Sequence, residues 1–375
     1  MTSDLLRPAE TGQTPFTMPA DATGTQRLSA FLGSCHANGL DVVLRHDAPD
    51  EWQRLLDHTA YVPVGYTPAM LDYQSAYFLG SDAASIEASI MIMNDRKPCA
   101  VWPLLLRSGV ASSALSSSGT PLLPPLFRQD TPSKTVKSIV TRCHALAEDH
   151  CRQLGSASYA GQEPFDSGEG LGEWYLQAMR SGAAASVGHE MFIDLSLPLQ
   201  EIRAAIRKSY KPLISMGERL WTASICSSAA PDLWDEFRQL HLEVAGRSTR
   251  SLESWEKQHR AIAAGDAFFV HLREPAGRMV GGALFHLSRD EGLYAVGAYD
   301  RTLFDKPLGH LVQYHAINEM KRRGLKWYRI GQCAFPGDHP PPTAKEVAIS
   351  HFKQGFATHT FAVHRFERPV GETIR

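Results

Sequence analysis

The sequence has no excess of either charge, no long apolar run and no paired-cysteine motif, and each lack removes a class of protein. Lys and Arg total 38 against 40 Asp and Glu, a formal charge of −2, which argues against a protein that coats nucleic acid. A local basic patch is still compatible with it. The six cysteines, at 35, 99, 143, 151, 226 and 333, include no C-x-x-C and no nearby Cys-His cluster of zinc-finger type, so neither a disulfide framework nor a structural zinc is expected. The longest apolar stretch, 99–106, is interrupted by Pro103 and falls far short of the roughly 20 residues that span a bilayer. The first residues lack the basic start and apolar core of a secretory signal. Free thiols with no signal and no span give a cytoplasmic expectation. Walker A, dinucleotide and G-x-S-x-G motifs are also missing, which weakens kinase, NTPase, dehydrogenase and serine-hydrolase readings.

What is present is ordinary globular material. Hydrophobic residues are 43% and charged residues 21% of 375, a length that predicts two domains. Residues 1–45 mix Thr, Pro, Ala and Gly without sustained periodicity and are expected to be a variable arm, with a short strand at 40–44. Residues 85–93 (SIEASIMIM) and 99–106 (CAVWPLLL) read as a hairpin with a polar turn at 94–98. A strand at 114–117 precedes the loop 119–125 (GTPLLPP), whose prolines cannot continue a ladder. The spacing of Val136, Ile139, Val140, Cys143, Ala147 and Cys151 predicts a helix over 133–154, followed by a strand at 157–160. In the second half, a strand at 191–195 leads into a helix over 199–220. Three strands follow at 268–272, 280–287 and 293–298, then a helix at 308–323, a strand at 326–330 and a helix at 344–354.

Several residues of this half suit the handling of an anion or a hydrogen-bonding ligand. On the helix 199–220, Arg203, Arg207 and Lys211 recur every four residues with Lys208 beside them, a stripe that can hold phosphate or simply face solvent. The segment 245–255 (AGRSTRSLESW) sets Arg247 and Arg250 among hydroxyls. Planar guanidinium groups suit phosphate or carboxylate, while Ser251 and Ser254 can equally cap the following helix. In 305–310 (DKPLGH), Lys306 and Gly309 stand where a helix N-terminus offers unpaired N–H groups to an anion. Tyr294 and Tyr299 could hydrogen-bond an acceptor or serve as strand material. His241, His310 and His315 read as structural. Thr343 and Glu346 form a T-x-x-E capping box after three prolines, with Gly355 positioned as the residue beyond the helix end.

Four segments share an order that resembles a known family: 201–214 (EIRAAIRKSYKPLI), a basic helix; 281–300 (GGALFHLSRDEGLYAVGAYD), paired strands; 306–331, a helix and strand; and 346–356 (EVAISHFKQGF), ending on F-K-x-G-F. They are similar to the GNAT N-acyltransferase superfamily, in its double-domain branch of Fem aminoacyltransferases and FemAB-like acyltransferases. The first half resembles the first Fem domain only through CAVWPLLL and the GTPLLPP loop. The resemblance implies an α/β (α+β) fold of two tandem GNAT-like domains, each a mixed, mostly antiparallel sheet flanked by helices. Their expected limits are 46–190, degenerate, and 191–365, with a C-terminal tail at 366–375. It implies an acyltransferase that moves an aminoacyl group from aminoacyl-tRNA to an amino group of a cell-wall, nucleotide-sugar or natural-product acceptor. Phe352 and Lys353 are then implied to meet the tRNA terminus and the reacting carbonyl, where an ammonium can stabilise an oxyanion. No permanently bound cofactor and no metal are expected. Two alternatives stand beside this reading: an N-acyltransferase fed by acyl-CoA or an acyl-carrier protein and acting on an amino sugar in glycan biosynthesis, and a non-catalytic GNAT-like binding module. The segment 305–310 has only one glycine where CoA-using relatives are richer, which counts against CoA.

Overall fold

The computed structural model describes residues 24–79, 84–108, 114–117, 120–165, 170–228 and 230–370. In chain order its first half contains α1 (Gly24–Ala37), β1 (Asp41–Leu44), α2 (Pro49–Asp57), α3 (Pro68–Leu79), β2 (Ala84–Glu87), β3 (Ile90–Asn94), β4 (Lys97–Trp102), β5 (Leu105–Ser108), β6 (Ala114–Ser116), β7 (Leu126–Phe127), α4 (Ser133–Gln153), β8 (Ser158–Gln162) and α5 (Glu173–Arg180). The second half contains β9 (Ala184–Asp194), α6 (Leu199–Ala205), α7 (Tyr210–Leu220), β10 (Thr222–Cys226), α8 (Pro231–Ala245), α9 (Leu252–Ala264), β11 (Ala267–Arg273), β12 (Met279–Leu287), β13 (Glu291–Tyr299), α10 (Leu308–Arg322), β14 (Trp327–Gln332), α11 (Ala344–Gln354) and β15 (His359–Pro369). No helix among the described residues is long and apolar enough to cross a membrane.

The expected hairpin at 85–106 forms, but each arm divides between two sheets. β3 pairs with β4 through a two-residue turn in which Asp95 and Arg96 both adopt left-handed backbone, the geometry that matches strand twist. β2 pairs instead with β5. The break falls at Pro103, which cannot donate to a ladder, and the Ser89 hydroxyl takes the Leu104 N–H there. The result is a four-stranded sheet, β1-β3-β4-β7, beside a three-stranded one, β2-β5-β6.

Residues 24–45 are not an arm. Leu28, Phe31, Leu32 and Cys35 follow helical spacing in α1 and pack into the core of the first half, with Phe31 and Cys35 buried, and β1 is an edge of the four-stranded sheet. Only 1–23 of the expected arm lie outside the described residues. The tail is corrected likewise. Phe366 to Pro369 belong to β15, which pairs along β9 and, on its other side, with β8 of the first half. Phe366 is buried in the first half's core beside Tyr159 and Trp174. Gly161 is required beneath it, because any Cβ there would strike the ring.

These pairings make one eight-stranded sheet, β10-β11-β12-β13-β14-β9-β15-β8. Every neighbouring pair in it is antiparallel except β13 with β14. One face is covered by α7 and α10, whose Ile214, Leu311, Val312 and Ala316 share a core with Phe268, Phe285 and Tyr328 of the strands. On the other, Trp234, Phe237 and Trp255 of α8 and α9 pack on Phe269 and Leu284.

The expected helix over 199–220 is two helices. α6 stops at Ile206, whose extended ψ of 133° turns the chain, and α7 starts at Tyr210. Pro212 explains the break. In an uninterrupted helix its ring would clash with the preceding turn, whereas the first turn of a new helix tolerates it. The halves meet through buried charge. Tyr61 donates to Glu291 at 2.9 Å, the Val62 and Val64 amides donate to Asp290 and Glu291, and Arg289 donates to the carbonyls of Leu56, Asp57 and Thr59. Arg329 lies between Glu291 and Glu190 at 3.4 and 3.5 Å.

Candidate functional site

The parallel strands β13 and β14 pair only from Glu291 to Leu293 with Trp327 to Arg329. Beyond Leu293 they separate, β13 bending after the bulge at Leu284/Phe285 opposite it and β14 after the irregularity at Arg329/Gly331. The gap is where the site lies. A cavity of about 900 Å³ opens on one side, bounded by β13, the start of α10 and α11, with Tyr294, Tyr299, Gly309, His310, Phe352 and Lys353 in its wall. A second, of about 500 Å³, lies between β9, β14, α11 and the proline loop, with His189, Gln332, Ser350, Arg365 and again Lys353 in its wall. Lys353 and Ile349 line both.

Lys353 is held there by α11, whose start has the full capping box: Thr343 accepts from the Glu346 amide, and Glu346 accepts from the Thr343 amide at 2.7 Å. The ammonium stands 4.9 Å from the Tyr294 ring centroid. On the β14 side it rests against Gly331, whose φ of +136° is left-handed and where a Cβ would collide with Nζ. Among the described residues it makes no hydrogen bond and no ion pair. Burial without a counter-charge lowers its pKa from 10.5 to about 8, so it remains mostly protonated at neutral pH. Burial raises the pKa of the Tyr294 and Tyr299 phenols. They stay neutral.

Phe352 lines the larger cavity amid Tyr210, His310 and Phe356. Burial lowers the His310 pKa to about 4, so its imidazole is uncharged. Gly309 lets α10 approach, since a Cβ would come 3.1 Å from the Phe352 ring. Lys306 stands at the wall of the same cavity, 5.8 Å from the Trp221 centroid. Gly355 corrects its expected role: its backbone is right-handed, and glycine is needed because Tyr210 occupies the place of a Cβ.

The basic residues disperse. With the helix broken at Ile206, Arg203, Arg207 and Lys211 form no continuous stripe. Arg203 lies over Tyr314 at 5.6 Å. Arg207 donates to the His351 carbonyl at 3.1 Å and to the Tyr210 hydroxyl at 3.0 Å, holding the end of α11 beside Phe352. Lys211 donates to the Ala204 carbonyl, and Lys208 is exposed. Arg250 packs between Tyr77 and Trp255 and donates to Tyr73, joining α3 to α9. Neither it nor the exposed Arg247 lines either cavity. Ser251 caps α9 by accepting from the Ser254 amide at 3.2 Å. Sequence reasoning missed Gly331, His189 and Arg365. Gly331 had a usable signal, an isolated glycine in a strand, which marks a bulge or a close approach.

Residues 200–340 match the family model of the acetyltransferase (GNAT) domain. That span contains the separating strands and α10; Lys353 lies just beyond the matched residues. The fold of the whole chain is shared with FemX, at a TM-score of 0.62 and 11% identity over 88% of this chain and 97% of that one. It is also similar to the C-terminal domain of a putative lysylphosphatidylglycerol synthetase from Agrobacterium fabrum, at 0.55 and 13% over 85% and 92%. The L-PGS of Bacillus licheniformis gives 0.53 and 14% over 87% and 93%. No curated protein matches the sequence.

Proposed function

We propose that the protein transfers an aminoacyl group from aminoacyl-tRNA to the amine of a cell-wall, nucleotide-sugar or natural-product acceptor. One observation carries this reading: an ammonium without an anionic partner among the described residues stands in the wall common to two cavities, where a donor carbonyl from one side and an amine from the other would meet. The acceptor ammonium first loses a proton to solvent. Its nitrogen then attacks the carbonyl, and Lys353 donates a hydrogen bond to the oxyanion as it forms. The C–N bond is kept, the ester C–O bond to the donor breaks, and the leaving oxygen takes the second proton of the amine.

The larger cavity suits the donor end. Arg301, Lys306 and Lys345 are in its wall, cations suited to a polyanionic carrier, and the turn into α10 offers one glycine rather than a glycine-rich cradle. Acyl-CoA is the second reading, favoured by the apolar side chains Leu308, Ile349 and Phe304 around that cavity, which fit an acyl chain or a pantetheine arm. The test is product mass spectrometry with a cell extract divided into tRNA and small-molecule fractions. Product that requires the tRNA fraction and disappears after RNase treatment supports aminoacyl-tRNA; RNase-resistant product that requires acyl-CoA overturns it in favour of the second reading.

A further inference from the structure

The smaller cavity has a charged group that the transfer step does not use. Arg365, on β15, lies flat across Gly188 of the adjacent strand, where an ideal Cβ would come 2.9 Å from the guanidinium carbon. Its Nε is buried with no hydrogen-bond partner, and no carboxylate pairs with it among the described residues. The buried Nδ1 of the neighbouring His189 likewise makes no hydrogen bond among the described residues. The cavity's two acids are already engaged: Glu346 holds the Thr343 amide and hydroxyl, and Asp338 accepts from the Phe335 amide at 2.8 Å. A guanidinium whose neighbours are committed elsewhere leaves its planar donor face for a ligand, and a carboxylate fits that face in two-point fashion.

We infer that this cavity takes an acceptor that is itself an amino acid, with its carboxylate on Arg365 and its amine toward Lys353. The inference rests on the acyltransfer reading and names its acceptor. Charge balance favours this ligand over a phosphate ester. Arg365 and Lys353 are offset by Asp338 and Glu346 in the same wall, so the lining is near neutral and complements a zwitterion. A phosphate dianion would meet two carboxylates with no surplus of cations. About 500 Å³ accommodates one amino acid with room for its side chain, at the smaller end of ordinary ligand cavities. Gly188 is then a specificity feature, because a side chain there would push the guanidinium away.

The test measures binding apart from turnover. Saturation-transfer NMR is recorded on the full chain with a mixture of the twenty common L-amino acids and, separately, with their carboxamides. The expected result is binding of at least one amino acid about tenfold or more tighter than its carboxamide, a contrast lost in Arg365→Met. Gly188→Ala, which keeps the guanidinium and displaces it, should reduce the contrast too and serves if Arg365→Met does not fold. Equal binding of acids and carboxamides, no binding of any amino acid, or a contrast that survives both substitutions overturns the inference. Turnover separates the two proposals. Carboxylate-dependent binding with no product from any acyl donor sinks the acyltransfer reading alone, and product formed equally well from carboxamides sinks the Arg365 assignment alone.

Discussion

Lys353 places its Nζ 4.9 Å from the ring centroid of Tyr294, across the gap that opens where β13 and β14 stop pairing. The aromatic face replaces part of the lost hydration without neutralising the charge. A carboxylate in the same place would neutralise the ammonium and take the position of an incoming oxyanion. The arrangement keeps a half-buried cation without an ion-pair partner among the described residues, which costs stability and suits transition-state binding.

Both sides of that exchange are measurable in Lys353→Met. Losing one such donor should lower kcat by about 10²–10³-fold with little change in KM. Thermal stability should rise at pH 7 by a few degrees, because an uncompensated charge is replaced by an apolar chain of similar length. The sign follows from the lowered pKa, about 8 in the folded protein against 10.5. Between those values the unfolded chain binds more protons, so folding stability climbs with pH, and the full penalty applies below 8. The gain in the Met variant should therefore shrink as pH approaches 10. Thermal unfolding at pH 7 and 10 checks both parts.

Turnover should have a descending limb above pH 8. The limb reports loss of the Lys353 proton, so it should vanish in Lys353→Arg, which keeps its charge throughout, whatever the absolute rate of that variant. A limb of unchanged position in Lys353→Arg would assign it to another group. Steady-state kcat from pH 6 to 10 reads this directly.

Gly331→Ala alters no charge and touches no substrate, yet it should cost turnover. The added methyl strikes Lys353 Nζ on a backbone whose φ of +136° already disfavours a side chain. We expect kcat to fall by tenfold or more, since small misplacements of a catalytic group are expensive, with a far-UV circular dichroism spectrum like that of the parent.

Glu291, 1% exposed, receives Tyr61 and the Val64 amide from the first half and Arg329 from β14. Glu291→Ala should destabilise by about 3–5 kcal/mol because it leaves the buried Arg329 with Glu190 but without its second carboxylate and removes the acceptor of the Tyr61 hydroxyl and the Val64 amide. Tyr61→Phe removes one hydrogen bond and should cost about 1–2 kcal/mol. Urea unfolding of the two variants, ranked in that order, is the check.

Local chemistry made parts of this legible from residues alone. The capping box at Thr343 and Glu346, the prolines before it and the apolar spacing of α10 each act within a few residues, and the position of α11 followed from them; Lys353 was singled out by the resemblance of its F-K-x-G-F segment. The break at Ile206 was signalled by Pro212, but helical spacing on both sides masked it. α1 went unread because the four residues it packs into the core, Leu28, Phe31, Leu32 and Cys35, are diluted by Ser, Gly and Thr. Nothing local announces that residues 359–369 pair with β9 and β8, and Arg365 and His189 become neighbours of one cavity only through that pairing. Arg250 shows the opposite error: its loop resembles an anion site, while its true partners, Tyr73 and Tyr77, lie about 175 positions earlier and were invisible to a reading of neighbours.

The route of β15 also bears on how the molecule is made. A nascent chain that has emerged only to about residue 350 carries nearly every helix and strand, yet Phe366 is still missing from the first half's core and β8 and β9 have an unfilled slot between them. The N-terminal half therefore cannot finish folding while it waits on the ribosome, and contacts closed across some 200 residues form late and slowly. During that interval the bare edges of β8 and β9 are the surfaces on which a chaperone would act, and a truncation that removes only β15 should injure the half of the protein farthest from it in sequence.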